Sequence, residues 1–209
     1  MPQVKKAGMR EAILAAAFDL FCRKGYTPTT MSEIARTAGM TVANLYVYFD
    51  SKLLILYEIY QPWLNDQLQA LRESVVKLRT PRTRLNRVFT GIWSDIPAAD
   101  HCFANALIEA LSSAPSGMGK PVNLLIQVEE FLNELLIEIL PPERAEMVRE
   151  GLFSHIVWMA FDGFVINQRI GDLRDIEKIA DLMTDMLLGS ADTEGTRTAR
   201  SRSPGVAAR

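Results

Sequence analysis

Two cysteines and two histidines are all that the 209 residues contain. Cys22 and Cys102 do not stand at metal-ligand spacing. Cys22, between Phe21 and Arg23 on an apolar helical pattern, reads as a buried free thiol, so no structural disulfide is expected. His101, Cys102 and His155 are scattered, and a metal- or redox-responsive sensor built on them is kept only as the alternative function. No Gly-rich phosphate loop, G-x-S-x-G elbow or H-E-x-x-H pair occurs, so the chain is not expected to be an enzyme; no catalytic residue, cofactor or metal ligand is assigned. No apolar run approaches the roughly 20 residues that cross a bilayer. The N-terminus lacks the apolar core of a secretory signal, which leads to an expectation of a cytoplasmic protein. No Asn-Gly or Asp-Gly hairpin joins alternating runs, which leaves no signal for strands.

A basic excess, the usual mark of a nucleic-acid binder, is missing from the whole chain, whose net charge is −2. The distribution is uneven. Residues 1–52 carry seven Lys and Arg against four Asp and Glu, and residues 53–189 carry twelve against nineteen. A basic head on an acidic body would orient itself on a polyanion.

What is present is helical periodicity almost throughout. A first helix is expected over 10–24, with Ile13, Leu14, Ala17, Phe18 and Phe21 on one face and Gly25 ending it. A long helix is expected over 52–78, where Leu53, Tyr57, Tyr60, Leu64, Leu68, Leu71, Val75 and Leu78 recur at steps of three and four. Pro62 lies inside it and should kink or break it. Further helices are expected at 82–95, 101–113, 121–140, 142–170 and 175–188, with a loop over SAPSGMGKP. The segment 190–209 has almost no large apolar residue and is expected to be disordered. The reading is all-α: a three-helix head over 1–51, a larger helical domain over 52–189, and a tail.

The most informative stretch is TTMSEIARTAGMTVANLYVYFDSK, 29–52. Thr30 with Glu33 forms a capping box for a short helix whose Ile34, Ala35 and Ala38 face inward. Gly39 supplies the positive φ of a tight turn, and Thr41 caps a second helix over Val42 to Phe49, with Leu45 and Phe49 inward. This is a helix-turn-helix, whose second helix enters the major groove.

The run LYVYF followed by DSK, after G-M-T and before a long apolar helix, resembles the Leu-Tyr-x-x-Phe-x-x-Lys signature of the TetR family of transcriptional regulators, over about residues 10–60. The resemblance implies a homodimeric repressor that binds a double-stranded operator and is released by a small-molecule effector. It also implies that Thr30, Ser32, Thr41, Val42, Ala43, Asn44, Tyr46, Val47, Tyr48 and Lys52 face DNA. Their chemistry agrees: Asn44 can pair with adenine, Val42, Ala43 and Val47 can meet thymine methyls, and the hydroxyls and Lys52 suit phosphates, with Ser32 suited to either. Tyr46 or Tyr48 as a core aromatic, and Asn44 as a merely solvated residue, stay open.

By the same resemblance the last two large helices form a four-helix bundle with a second copy. The apolar window LFSHIVWMAFDGFVI at 152–166 supports this independently, since a helix apolar nearly all round must be covered twice. Trp158, Phe161, Gly163, Phe164, Ile179, Met183 and Met186 are the interface candidates. The middle helices are expected to enclose the effector among Trp63, Trp93, Phe103, Phe131, His155 and Trp158, with Asn105 or Glu109 as polar anchors. Plain core packing of these aromatics is the competing reading.

Overall fold

The computed structural model describes residues 2–99, 102–113, 122–171 and 175–189, and among them every regular element is helical. The expected loop over SAPSGMGKP, His101 and the segment 190–209 lie outside the described residues, apart from Ser113 at the end of a helix. The elements are α1 (Pro2–Lys24), α2 (Met31–Thr37), α3 (Val42–Tyr46), α4 (Lys52–Val76), α5 (Pro81–Thr90), a π-helical turn (Gly91–Asp95), α6 (Ile96–Ala99), α7 (Phe103–Ser113), α8 (Val122–Ile139), α9 (Pro142–Val148), α10 (Leu152–Ile170) and α11 (Ile176–Leu188).

Several boundaries depart from the sequence reading, each for a local reason. Helix α1 begins at Pro2, eight residues early, because proline is tolerated in a first helical turn where its missing N–H has no partner to lose. Helix α4 runs unbroken through Pro62, so the break is excluded. The single helix expected over 142–170 is two: the chain turns at Gly151, whose φ of +78° is left-handed and interrupts the helical hydrogen bonds. The second helix of the helix-turn-helix, α3, ends at Tyr46 and continues to Phe49 only as a turn.

Two apolar cores organise the chain. One gathers Ile13, Ala17, Phe21, Ile34, Leu45 and Phe49. It does not stop at residue 51, since Ile55 and Leu56 of α4 and Ala106 and Ala110 of α7 belong to it. The larger core joins α4, α5, the π turn, α8 and α10 through residues such as Leu64, Leu68, Phe89, Trp93, Leu132 and Phe161. Helix α7 has a foot in each: Phe103 and Ala104 sit in the large core, Ala106 and Ala110 in the small one. At roughly 25 cal/mol per Å² of buried apolar surface, these cores supply the main force holding the helices together.

A covalent link ties the two cores. Cys22, on the last turn of α1, is disulfide-bonded to Cys102, immediately before α7, with Cα atoms 5.2 Å apart. The expectation of a buried free thiol is therefore wrong twice, because the Cys22 side is exposed and the sulfur is bonded. Helical periodicity placed Cys22 near the apolar face of α1, but its neighbour in space comes from a helix 80 residues away, which spacing cannot reveal.

Candidate nucleic-acid interface and body interior

The head is built by its caps. The Thr30 hydroxyl accepts from the Glu33 N–H at 3.2 Å, and Glu33 returns the bond to the Thr30 N–H at 3.0 Å, closing the capping box that starts α2. Lys24 adds an ion pair to Glu33 at 2.7 Å, and together these bonds hold the Glu33 carboxyl down at about 2, the Lys24 hydrogen bond being the largest cause. Ile34 and Ala35 are wholly buried, and Gly39 turns the chain with φ +71°. A Cβ at Gly39 would meet nothing within 4 Å, so the glycine serves the backbone angle and not a close approach. Thr41 then caps α3, its hydroxyl accepting from the Asn44 N–H at 3.2 Å.

Leu45 at 0% and Phe49 at 3% exposure anchor α3 to the head core. Around that anchor the other face is open: Thr41, Ala43 and Asn44 are exposed, and Tyr46 and Val47 stand out at 50% and 69%. Val42 is half-buried, while Thr30 and Ser32 are exposed at the start of α2. These expected DNA-facing residues thus share one accessible surface. The core-aromatic reading of Tyr46 does not apply.

Two expected DNA contacts turn the other way. The Tyr48 side chain is half-buried against the head core, and its hydroxyl donates to Met9 Sδ at 3.6 Å. The Lys52 ammonium donates to the carbonyl oxygens of Tyr26 at 2.7 Å and Thr29 at 2.6 Å and lies 4.0 Å from the centre of the Tyr26 ring. Desolvation lowers its pKa, as befits an ammonium taken out of water. Lys52 holds the α1–α2 loop; it is not free for a phosphate. The sequence pointed to a cation at a helix N-terminus, but a long side chain can fold back, and three loop carbonyls within reach decided its direction.

The expected effector residues do not form one wall. Trp63, Tyr60 and Phe103 meet with centroids 5.3–5.9 Å apart, and Phe18 of α1 joins Phe103 at 5.2 Å. Trp93 belongs to a different group: it stacks on Phe89 at 5.0 Å, touches Phe164 at 5.3 Å, and donates its indole N–H to the Val157 carbonyl at 2.9 Å. Trp158 stacks on Phe161 at 4.5 Å. Phe131 lies under the Arg72 guanidinium, and His155 is half-exposed and paired with Glu129. Asn105 and Glu109, both half-buried, are turned towards the head. Glu109 accepts from the Thr27 N–H of the head at 3.0 Å and from the Asn105 side-chain amide at 2.7 Å. These bonds lower its pKa against the opposing desolvation, the largest single influence. An open cleft of about 640 Å³ between α5 and α11 is lined by charged and polar groups, Arg82, Asn86, Arg87, Asp95 and Asp181 among them, and by none of the expected aromatics.

The interface candidates are redistributed in the same way. Trp158 and Phe161 are buried in the chain's own core, and Phe164, Ile179 and Met183 pack half-buried against it. Outward on α10 stand Leu152, Ile156, Met159, Gly163, Ile166 and Ile170, at steps of four and three, continued on α11 by Leu182 and Met186. An apolar pattern all round a helix could not say which stripe the chain keeps for itself; packing against α8 and the π turn decided it. The metal-sensor form of the alternative on His101, Cys102 and His155 is set aside: Cys102 is bonded to Cys22, and among the described residues no group of three such side chains could hold a metal ion. Nor, among the described residues, is any helix long and apolar enough to cross a membrane.

Residues 13–59, the head and the first turns of α4, match the family model described as bacterial regulatory proteins, tetR family. The head of this chain is similar to that family's. Over 99 residues it is 33% identical to the HTH-type transcriptional repressor KstR2 of Rhodococcus jostii, covering 47% of this chain and 48% of that one. Over 110 residues it is 34% identical to the HTH-type transcriptional regulator RutR of Escherichia coli, covering 51% and 50%. The chain thus spans about half the length of the curated relatives it matches. Its whole architecture is similar to that of Thermus thermophilus FadR, solved in complex with lauroyl-CoA. The TM-score is 0.58 at 21% identity, over 94% of this chain and 100% of that one. That likeness is one of fold alone.

Proposed function

We propose that this protein is a DNA-binding transcriptional repressor of the tetR kind that works as a homodimer and leaves its operator when a small molecule binds the body. The observation that carries the reading is the open face of α3. Thr41, Ala43, Asn44, Tyr46 and Val47 are accessible together while Leu45 and Phe49 fix the helix to a packed head. A recognition helix needs this combination of rigid support and an unobstructed face to enter a major groove. Asn44 is its one amide able to read adenine, and Ala43 and Val47 offer methyl contacts.

Dimerisation is supported by the exposed apolar stripe from Leu152 to Ile170 on α10, with Leu182 and Met186 exposed on α11, of the kind that marks an interface. For the effector, an acyl-CoA is the first class to try, because FadR, of the same fold, is described in complex with lauroyl-CoA and the body interior here is rich in aromatic rings. The test is selection of a duplex from a random pool by the purified protein, followed by titration of the selected duplex with salt and with lauroyl-CoA. Retention of a defined, two-fold symmetric duplex with a steep salt dependence is expected. Failure to enrich any sequence would overturn the reading.

A further inference from the structure

Helix α7 is the only described helix that supplies buried residues of its own to both cores besides α4, and it is fastened to the head at two places two turns apart. At its start the disulfide joins Cys102 to Cys22 on the last turn of α1. Further along, Glu109 accepts from the Thr27 N–H at 3.0 Å, beside Gly25. Between them Phe103 packs on Phe18 with centroids 5.2 Å apart. Two attachments on one helix fix both its position and its rotation, so the arrangement of head on body is set at this junction. One of the two is chemically reversible.

We propose that Cys22 and Cys102 are a thiol switch that locks the DNA-reading head to the body when oxidised and frees it when reduced. The inference rests on the repressor reading above, and three observations carry it. The cysteines are the only two in the chain, so neither has another partner within it. Their Cα separation of 5.2 Å is that of an ordinary disulfide, so closure asks for no backbone movement. Cys22 is exposed, which leaves the bond open to attack by a small thiolate. A protein that meets the chromosome works where thiols are kept reduced, and an accessible disulfide there is transient and responsive instead of a permanent staple.

The exchange balances with a low-molecular-weight disulfide as oxidant. The Cys22 thiolate attacks one sulfur of that disulfide and expels a thiolate, forming a mixed disulfide; the Cys102 thiolate then attacks the Cys22 sulfur and expels the second. The protein has lost two electrons and two protons, and the reagent leaves as two thiols. Reduction by an excess of small thiol runs the same steps backwards. Reduction leaves Glu109 and the packing of Ala106 and Ala110 in place, so the head stays docked but gains freedom to turn. Operator affinity depends on where the two heads stand, so a cross-link that removes arrangements changes it.

The full-length protein is equilibrated in mixtures of reduced and oxidised glutathione, and the bonded fraction is read by thiol labelling and mass spectrometry. Reduced and oxidised samples are then compared in hydrogen exchange and in affinity for the duplex selected by the reduced protein. The switch predicts a reversible transition, exchange at residues 25–29 and 103–113 at least tenfold faster in the reduced form, and operator Kd values that differ at least fivefold between the two. Cys22→Ser and Cys102→Ser should each behave as reduced protein whatever the glutathione ratio. A pair that never closes, or that closes with exchange and Kd unchanged, overturns the proposal. If neither form retains any duplex the repressor reading falls, and the exchange comparison alone then decides for or against the lock.

Discussion

Lys52 donates from its ammonium to the carbonyl oxygen of Thr29 at 2.6 Å, tying the first turn of α4 to the residue that precedes the α2 cap. With the parallel bond to Tyr26, it closes the loop between α1 and α2 from the far end of the head. Lys52→Ala should therefore act on stability. Loss of hydrogen bonds to a charged group costs about 1.5–3 kcal/mol, and denaturant unfolding should show a fall in that range. The salt dependence of DNA binding should keep its slope, since no phosphate contact is removed. A variant that unfolds like the wild type but loses one unit of salt slope would show that the lysine leaves the loop for a phosphate.

Asn44 and Leu45 are adjacent in α3 and should separate recognition from folding. Asn44 is exposed, so Asn44→Ala should leave the unfolding midpoint unchanged. It should cost about 1–3 kcal/mol of operator binding and relax preference at one base position. Leu45 is fully buried, and Leu45→Ala should cost about 2–5 kcal/mol of stability. Binding titrations on duplexes substituted one base pair at a time check the first claim, and chemical denaturation the second.

Glu33 gives the head an acid limit. Its folded pKa, about 2, lies below the ordinary carboxylate value near 4.5, so the unfolded chain binds the proton more readily between these values. The stabilisation is complete above about pH 5 and is lost as pH falls from there towards 2. Glu33→Gln keeps the shape of the capping box and removes the charge. Its unfolding midpoint should fall below that of the wild type at neutral pH and converge with it at about pH 2. A constant gap across the whole range would mean that the charge contributes nothing.

Ile156 and Phe161 test which stripe of α10 pairs. Ile156 is exposed and Phe161 buried, at 58% and 1%. Ile156→Glu should give a folded monomer in sedimentation with native helicity, because its charge is buried only if a second copy covers the stripe. Phe161→Glu should unfold the body whether or not a partner is present. A wild-type protein that sediments as a monomer at micromolar concentration would remove the basis for the Ile156 prediction and leave that for Phe161 standing.

The sequence by itself determined the elements whose cause is local. The capping box at Thr30, the N-cap at Thr41, the positive φ at Gly39 and the inward pair Leu45 and Phe49 follow from residues within a few positions of one another, which is why the head was legible down to single side chains. The all-helical class followed from periodicity for the same reason. Tertiary structure alone decided whatever depends on which helix lies next to which. Lys52 and Tyr48 turn inward because loop carbonyls and Met9 lie within their reach. Glu109 turns towards the head because α7 runs past the Thr27 N–H. Cys22 finds Cys102, and α10 buries Trp158 while presenting Ile156, through neighbours far away in the chain. A helical repeat states that a face is apolar, but it contains no term for the partner. Only the packed arrangement supplies one.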